Sequence, residues 1–451
     1  MKVIIGRLII KSSILYKTPS PVFLLVMALF LLINQSHGQD QKPPADSTAK
    51  KIYPDGTTGL ILEVGPDDYL KKEKKPPNEF EGTYSTFRIG LGYIADAATY
   101  RQNAAFKKQM DSAGLAFDSK IETRDFRIFA SGIIKTKRTL AWKGGFMYDG
   151  DKKVWLLRET GLTIGVPELF GHVFIGRTKE GYSMVKVMNG HSPWTAERQM
   201  ALDVIPILAD GVKYFGYEPK SRVFWNLAYF NDILSKGQSF STYQWQYDAR
   251  VGWMPIYDKE KNSVLHIAAN LRYGKPLDGK IILRSRPESN PAPQIINTGT
   301  FAADHSTHVG GEVYYNKGRL LLGSEVMAHR FNASNAEDHS FFGGDIFVTY
   351  IFTKTKRPYN TMGSIFGFIP VEKSVFKGGW GEWEAVLRFS SLNLEDGSIH
   401  GGKFWRITPM VNWYMSKFVR TEFIYGYGVL ERYDMKGAVQ IFQARLQITI
   451  N

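Results

Sequence analysis

From residue 87 to the C-terminus, apolar side chains recur at every second position in short runs. Phe87, Ile89, Leu91 and Tyr93 alternate with Arg88, Gly90 and Gly92. Successive side chains of a strand point to opposite faces, so this period of two predicts strands with one greasy and one polar side. The pattern returns in Phe126, Ile128 and Ala130 against Arg127 and Ser131, and in Leu140, Trp142, Gly144 and Phe146 against Lys143 and Gly145. Val223, Trp225, Leu227 and Tyr229 stand against Arg222 and Asn226; Ala249, Val251 and Trp253 against Asp248, Arg250 and Gly252; Leu265, Ile267, Ala269, Leu271 and Tyr273 against His266, Asn270 and Arg272. It is cleanest at the end, where Phe442, Ala444, Leu446, Ile448 and Ile450 alternate with Gln443, Arg445, Gln447 and Thr449.

About sixteen such segments can be counted, an even number that leaves both ends of the chain on one side of a closed sheet. A soluble sandwich needs a second apolar layer to cover the greasy faces, and the chain offers none. The fold expected is all-β, a transmembrane antiparallel β-barrel of about 16 strands with an infolded constriction loop.

Three stretches interrupt the alternation. Residues 176–198 are polar and glycine-containing, lie between strand-like runs at 173–177 and 211–216, and are read as a loop folded into the bore. Residues 274–307 hold more Pro and Gly than a central strand tolerates and are read as a long irregular loop. The connection 354–378 is long for a periplasmic turn, and nothing in the sequence assigns it a role. Residues 100–111 are read as a short polar helix or extracellular loop.

The N-terminus follows other rules. Lys2, Arg7, Lys11 and Lys17 precede an apolar core at 22–33 and the small residues Ser36 and Gly38, the layout of a secretory signal. The expected domains are a signal peptide at 1–38, a largely irregular periplasmic segment at 39–83 and an outer-membrane barrel at 84–451, with cleavage near Gly38. The lysines at 71, 72, 74 and 75 are read as a solvated cluster. Removing the leader takes four basic residues and no acid, which lowers the formal net charge from +14 to +10. In an exported chain that excess sets nucleic acid aside and leaves an acidic membrane surface or small anions as what it draws.

Composition narrows the chemistry further. The chain has no Cys, which excludes disulfides, thiol catalysis and Cys-held metal, and its 9 His lack ligand spacing, so no cofactor or metal is expected. Aromatic residues make up 14%, in keeping with interfacial girdles facing outer-membrane lipid. Catalysis needs a serine, a histidine and an orienting acid to converge; Ser306 with His308 and His339 with Ser340 are the nearest sets, neither in an elbow-like context, so no enzyme is expected. Phe129, Phe224 and Tyr314 fall on inward faces, which leaves a second reading: a porin for sugars or other small solutes with no marked anion preference.

Several pieces in register resemble the phosphate-selective porin O/P family. They are GGWGEWE at residues 378–384 running on to Leu387-Arg388-Phe389, then Val411-Asn412-Trp413-Tyr414 and Phe442-Gln443-Ala444-Arg445-Leu446-Gln447. Arg357-Pro358-Tyr359-Asn360, Arg284-Ser285-Arg286-Pro287-Glu288, and Gly176-Arg177 followed by Lys186 add to the match. The resemblance implies a homotrimer of sixteen-stranded barrels in the bacterial outer membrane, passing small anions such as phosphate or polyphosphate-like solutes. It further implies that Lys186 marks the constriction, that Arg88, Arg124, Arg127 and Arg177 face the anion path, and that Arg284 and Arg286 belong to a second infolded loop. Three positions depart from the family pattern: Asp125 separates Arg124 from Arg127, and Asn189 and Gly190 stand where serines are expected.

Overall fold

The computed structural model describes residues 78–191, 193–234 and 242–450. The leader with its cleavage site, the lysine cluster and most of the 39–83 segment lie outside these residues. Sixteen antiparallel strands form the wall: β1 (Thr86–Gln102), β2 (Lys120–Ile134), β3 (Leu140–Asp149), β4 (Val154–Leu157 and Thr160–Val166), β5 (Gly171–Lys179), β6 (Leu208–Glu218), β7 (Val223–Asn231) and β8 (Tyr243–Asp258). They continue as β9 (Ser263–Pro276), β10 (His305–Lys317), β11 (Leu320–Asn332), β12 (His339–Ile351), β13 (Glu382–Asp396), β14 (Ile399–Tyr414), β15 (Val419–Arg432) and β16 (Met435–Ile450). Both pieces of β4 pair with β3, so they count as one interrupted strand.

Each strand pairs with the next, and β16 closes the sheet on β1 from Leu91 opposite Ile450 to Gln102 opposite Val439. Closure leaves no unpaired edge, which hydrocarbon would not tolerate. The alternation seen in sequence becomes the two surfaces of the wall. Val326, Ile346, Phe423 and Trp253 are half exposed on the outside, while their neighbours Glu325, Asp345, Glu422 and Gly252 point inward. Replacing Ile346, which is 60% exposed on the outer face, with arginine is expected to cost about 2–4 kcal/mol in a bilayer. Unfolding in vesicles measures that loss.

Four features differ from the sequence expectation or fill its gaps. β1 runs to Gln102 rather than residue 93, because Ala95, Ala97 and Thr99 continue the outer row while Asp96 faces in and binds Arg445. Residues 104–112 form a helix, α1 (Ala104–Ser112), capped by Asn103, whose side chain accepts from the Phe106 amide. The 274–307 stretch is not wholly irregular: Lys280–Ser285 and Ile296–Ala302 pair as a separate hairpin. The infolded loop spans 180–207, longer than the polar run that announced it, and contains a one-turn helix, α2 (Met184–Val187).

The connection from β12 to β13, left without a role by the sequence, bends back into the barrel from the end opposite to the 180–207 loop. Tyr359–Asn360 and Ile365–Phe366 pair there as a miniature hairpin, and residues 363–369 are buried. This connection and the 180–207 loop therefore enter the bore from opposite mouths.

Candidate functional site

The 180–207 loop is seated by wall carboxylates. Ser183 caps α2, its Oγ accepting from the Lys186 amide. The free amides of the first turn point at the wall, where Met184 N donates to Glu312 on β10 at 3.2 Å and Val185 N to Glu325 on β11 at 3.2 Å. Helix N-termini carry unpaired N–H groups and partial positive charge, so two acids on adjacent strands suit this end. Glu312 is in turn held by Arg250 through two bonds, 2.8 and 2.9 Å, and by Asn270 at 2.8 Å. Ahead of the helix, Gly181 donates to Asp248 at 2.8 Å, and a Cβ there would sit 2.2 Å from Asn226 Oδ1. Only glycine lets the chain come that close.

Beyond α2, Asn189 and His191 reach the β1–β4 side, and Trp194 returns to the wall that α2 meets. Trp194 stacks on Phe347 at 4.6 Å and meets Tyr314 edge-on at 5.9 Å. The other infolded segment reaches the same indole: Phe366 lies 6.3 Å away and the Arg357 guanidinium 5.4 Å above the ring. Arg357 is fixed by Glu384 on β13 at 2.6 Å. Further along, Glu197 receives Arg124 at 2.7 and 2.8 Å and a short contact from Arg445. Arg420 grips the Pro193 carbonyl at 2.8 Å, and Asn412 the Trp194 carbonyl at 2.8 Å. The two segments thus seal the β8–β14 side of the bore around Trp194.

A cavity of about 120 Å³ stays open on the other side, against β1–β4. Arg88, Arg127, Phe129, Lys143, Arg158 and Glu159 line its lumen face, with Asn189 and His191 of the loop closing it. Four basic groups meet one carboxylate in this lining. Each cation is anchored rather than floating. Arg88 binds Glu79 at 2.5 Å, Arg127 binds Asp125 at 2.8 Å, Arg158 lies 3.8 Å from Glu159, and Lys143 sits 5.3 Å over the Phe174 ring. Gly90 makes room here, since a Cβ would stand 2.0 Å from the Phe129 ring.

The seven basic residues singled out by sequence are dispersed. Arg88 and Arg127 line the cavity. Arg124 lies next to it, tied to Glu197 and to Asp125. Lys186 is 1% exposed on the sealed side, its Nζ 2.7 Å from Glu180, which also receives Arg272 at 2.9 Å and Gln246 at 2.9 Å. Arg177 forms a buried pair with Asp210 at 2.7 Å on the strand position two beyond the outward-facing Ile175. Arg284 is exposed on the 280–302 hairpin, and Arg286 binds Asp151 at 2.7 Å and the Asn290 carbonyl.

Arg158 escaped the sequence reading because it falls in the break between the two pieces of β4, where alternation is lost. Arg388, Arg406 and Arg420 did carry a signal, the polar phase of β13–β15. Among the inward aromatics, Phe129 faces the opening, whereas Phe224 and Tyr314 are buried in packed clusters. Ser306 and His308 do meet, at 3.0 Å, but the partner of His308 Nδ1 is His329 at 2.8 Å, not an acid. That arrangement lacks the carboxylate that would hold an imidazole as general base.

A closed sixteen-stranded wall, an outer apolar band and loops folded into a charged bore together define an outer-membrane porin. Residues 170–450 match the family described as phosphate-selective porin O and P, and the chain belongs to that family. No curated protein sequence matches the chain. Solved structures of the same fold include an anion-selective porin from Comamonas acidovorans, 13% identical over 81% of this chain and 100% of that one, with a TM-score of 0.51. OmpF of Salmonella typhi is 10% identical over 82% and 100% with a TM-score of 0.52, and the channel DcaP of Acinetobacter baumannii 8% over 82% and 99% with 0.51.

Proposed function

We propose that this porin passes small anions of the phosphate class by passive diffusion along the β1–β4 wall, and that it works as a trimer. The observation that carries the reading is the opening itself, where Arg88, Arg127, Lys143 and Arg158 face one acid, Glu159. Arginine keeps its charge at any physiological pH and presents a planar fork of donors to oxyanions. Anchoring by Glu79 and Asp125 lowers the affinity of each step, which a conducting path needs if the ion is to leave. Support comes also from the family description, from the anion-selective porin among the structural neighbours, and from the trimeric form of OmpT of Vibrio cholerae, 12% identical with a TM-score of 0.50.

The test is the zero-current potential of the purified protein in a planar bilayer under a potassium chloride gradient. An anion-selective sign is expected, and replacing Arg127 and Arg158 together by glutamate is expected to reverse it. A cation-selective wild type would sink the reading.

A further inference from the structure

The segment joining the two strands of the 280–302 hairpin carries Glu288 down into the bore, where it is 6% exposed. Its backbone is held at φ 53°, the left-handed region that a residue with a side chain enters only against steric resistance. Glu288 Oε2 accepts from Arg388 Nη2 on β13 at 2.5 Å, and its carbonyl accepts from Arg406 Nη1 on β14 at 3.0 Å. Arg406 also holds the Pro287 carbonyl at 2.5 Å.

These arginines offer more donors than the hairpin uses. Arg388 Nε, Arg406 Nε and Arg406 Nη2 are buried without a hydrogen-bond partner, and so is Glu288 Oε1. Arg406 is fully buried, its guanidinium pressed against the bare backbone of Gly426, where a Cβ would come within 2.3 Å of Nε. A carboxylate presents two oxygens in one plane; a phosphate presents several in a tetrahedron and can meet donors from two guanidinium groups at once. The chain's own acid fills a site better matched to a richer oxyanion.

We propose that Arg388 and Arg406 form an oxyanion site occupied by Glu288 in the resting pore. A phosphate-type solute competes with Glu288 for that site and frees the hairpin from the wall. The proposal rests on the anion-pore reading and adds to it a binding site and an internal competitor.

Single-channel current in chloride, titrated with inorganic phosphate, tests it on the full chain. Glu288→Gln keeps the shape and removes the competing charge. It is expected to lower the phosphate concentration that halves the current by about tenfold, the size of one charge-assisted hydrogen bond. Arg406→Gln and Gly426→Ala, which disturb the site while leaving the Glu288 carboxylate in the chain, are expected to raise that concentration several-fold, and they carry the test if Glu288→Gln does not fold. Equal half-blocking concentrations in the wild type and the folded variants overturn the oxyanion site. The zero-current potential separates this from failure of the anion reading: anion preference with equal phosphate titrations removes the site alone, and cation preference removes both.

Discussion

Glu180→Gln is expected to release the 180–207 loop while leaving the barrel wall intact. Glu180 is fully buried and neutralises two cations at once, Lys186 at 2.7 Å and Arg272 at 2.9 Å. Glutamine keeps the volume but strands both charges in a space that water does not reach. Removing one partner of a buried ionic cluster costs about 3–5 kcal/mol, because the charge left behind stays desolvated. The strand ladder does not pass through Glu180, so the penalty falls on the loop. The variant is expected to keep the heat-modifiable gel mobility of a folded barrel, with a larger and noisier single-channel current and faster proteolysis at the loop. Adding Lys186→Met removes one of the stranded charges and is expected to restore much of the quiet current. A quiet, unchanged current in the single variant would show that the Glu180 cluster does not seat the loop.

The second large effect is expected from Trp194→Ala. The indole, on the 180–207 loop, meets Phe366 and Arg357 of the other infolded segment, with Phe347 and Tyr314 of the wall on its other sides. Truncating a buried tryptophan costs about 3–5 kcal/mol through lost contacts and the cavity left behind. Here the cavity lies on the sealed side of the bore, so conductance is expected to rise several-fold and anion preference to fall as ions pass away from the β1–β4 cations. Trp155→Ala serves as the control. Trp155 is more than half exposed on the outer face, and its loss is expected to leave conductance alone.

The wall was legible in the chain because a period of two is a local signal and hydrocarbon enforces it on every strand. Phe442 to Ile450 reads as a strand from its own residues, and closure against Leu91 to Gln102 confirms it. What sequence spacing could not supply is the counter-charge. Arg445 meets Asp96 from 349 positions away, Arg388 meets Glu288 from 100 and Lys186 meets Glu180 from 6. Only the first two pairs need the barrel to close before they exist, yet the third is equally silent in sequence, since one turn of helix turns Lys186 back toward Glu180 and away from the open side.

The 352–381 connection was opaque for a related reason. Its Pro358, Gly363 and Gly367 read as loop, and nothing in a loop's composition says that it enters a bore. Arg357 binding Glu384, Tyr359 bonding His266 at 2.7 Å and Ser364 accepting from Arg250 at 2.9 Å are tertiary contacts that together draw it in. Residues such as Arg284 and Arg286 carried an expectation from resemblance, and their positions follow from a hairpin anchored by Ser285 to Asp203 at 2.8 Å and by Arg432 to the Asn297 carbonyl at 2.8 Å.

The central claim is that solute passes the 180–207 loop along the β1–β4 wall and that the bore is closed behind Trp194, where the two segments meet. Because the chain has no cysteine of its own, single thiols can report on each side. Ser131→Cys places one in the lining of the opening, and Thr349→Cys places one on β12, two residues from Phe347, where the side chain is fully buried. With an anionic methanethiosulfonate reagent added during current recording, the Ser131→Cys pore is expected to lose most of its current within minutes and the Thr349→Cys pore to keep it. Rapid modification at Thr349→Cys with none at Ser131→Cys would contradict the path described above.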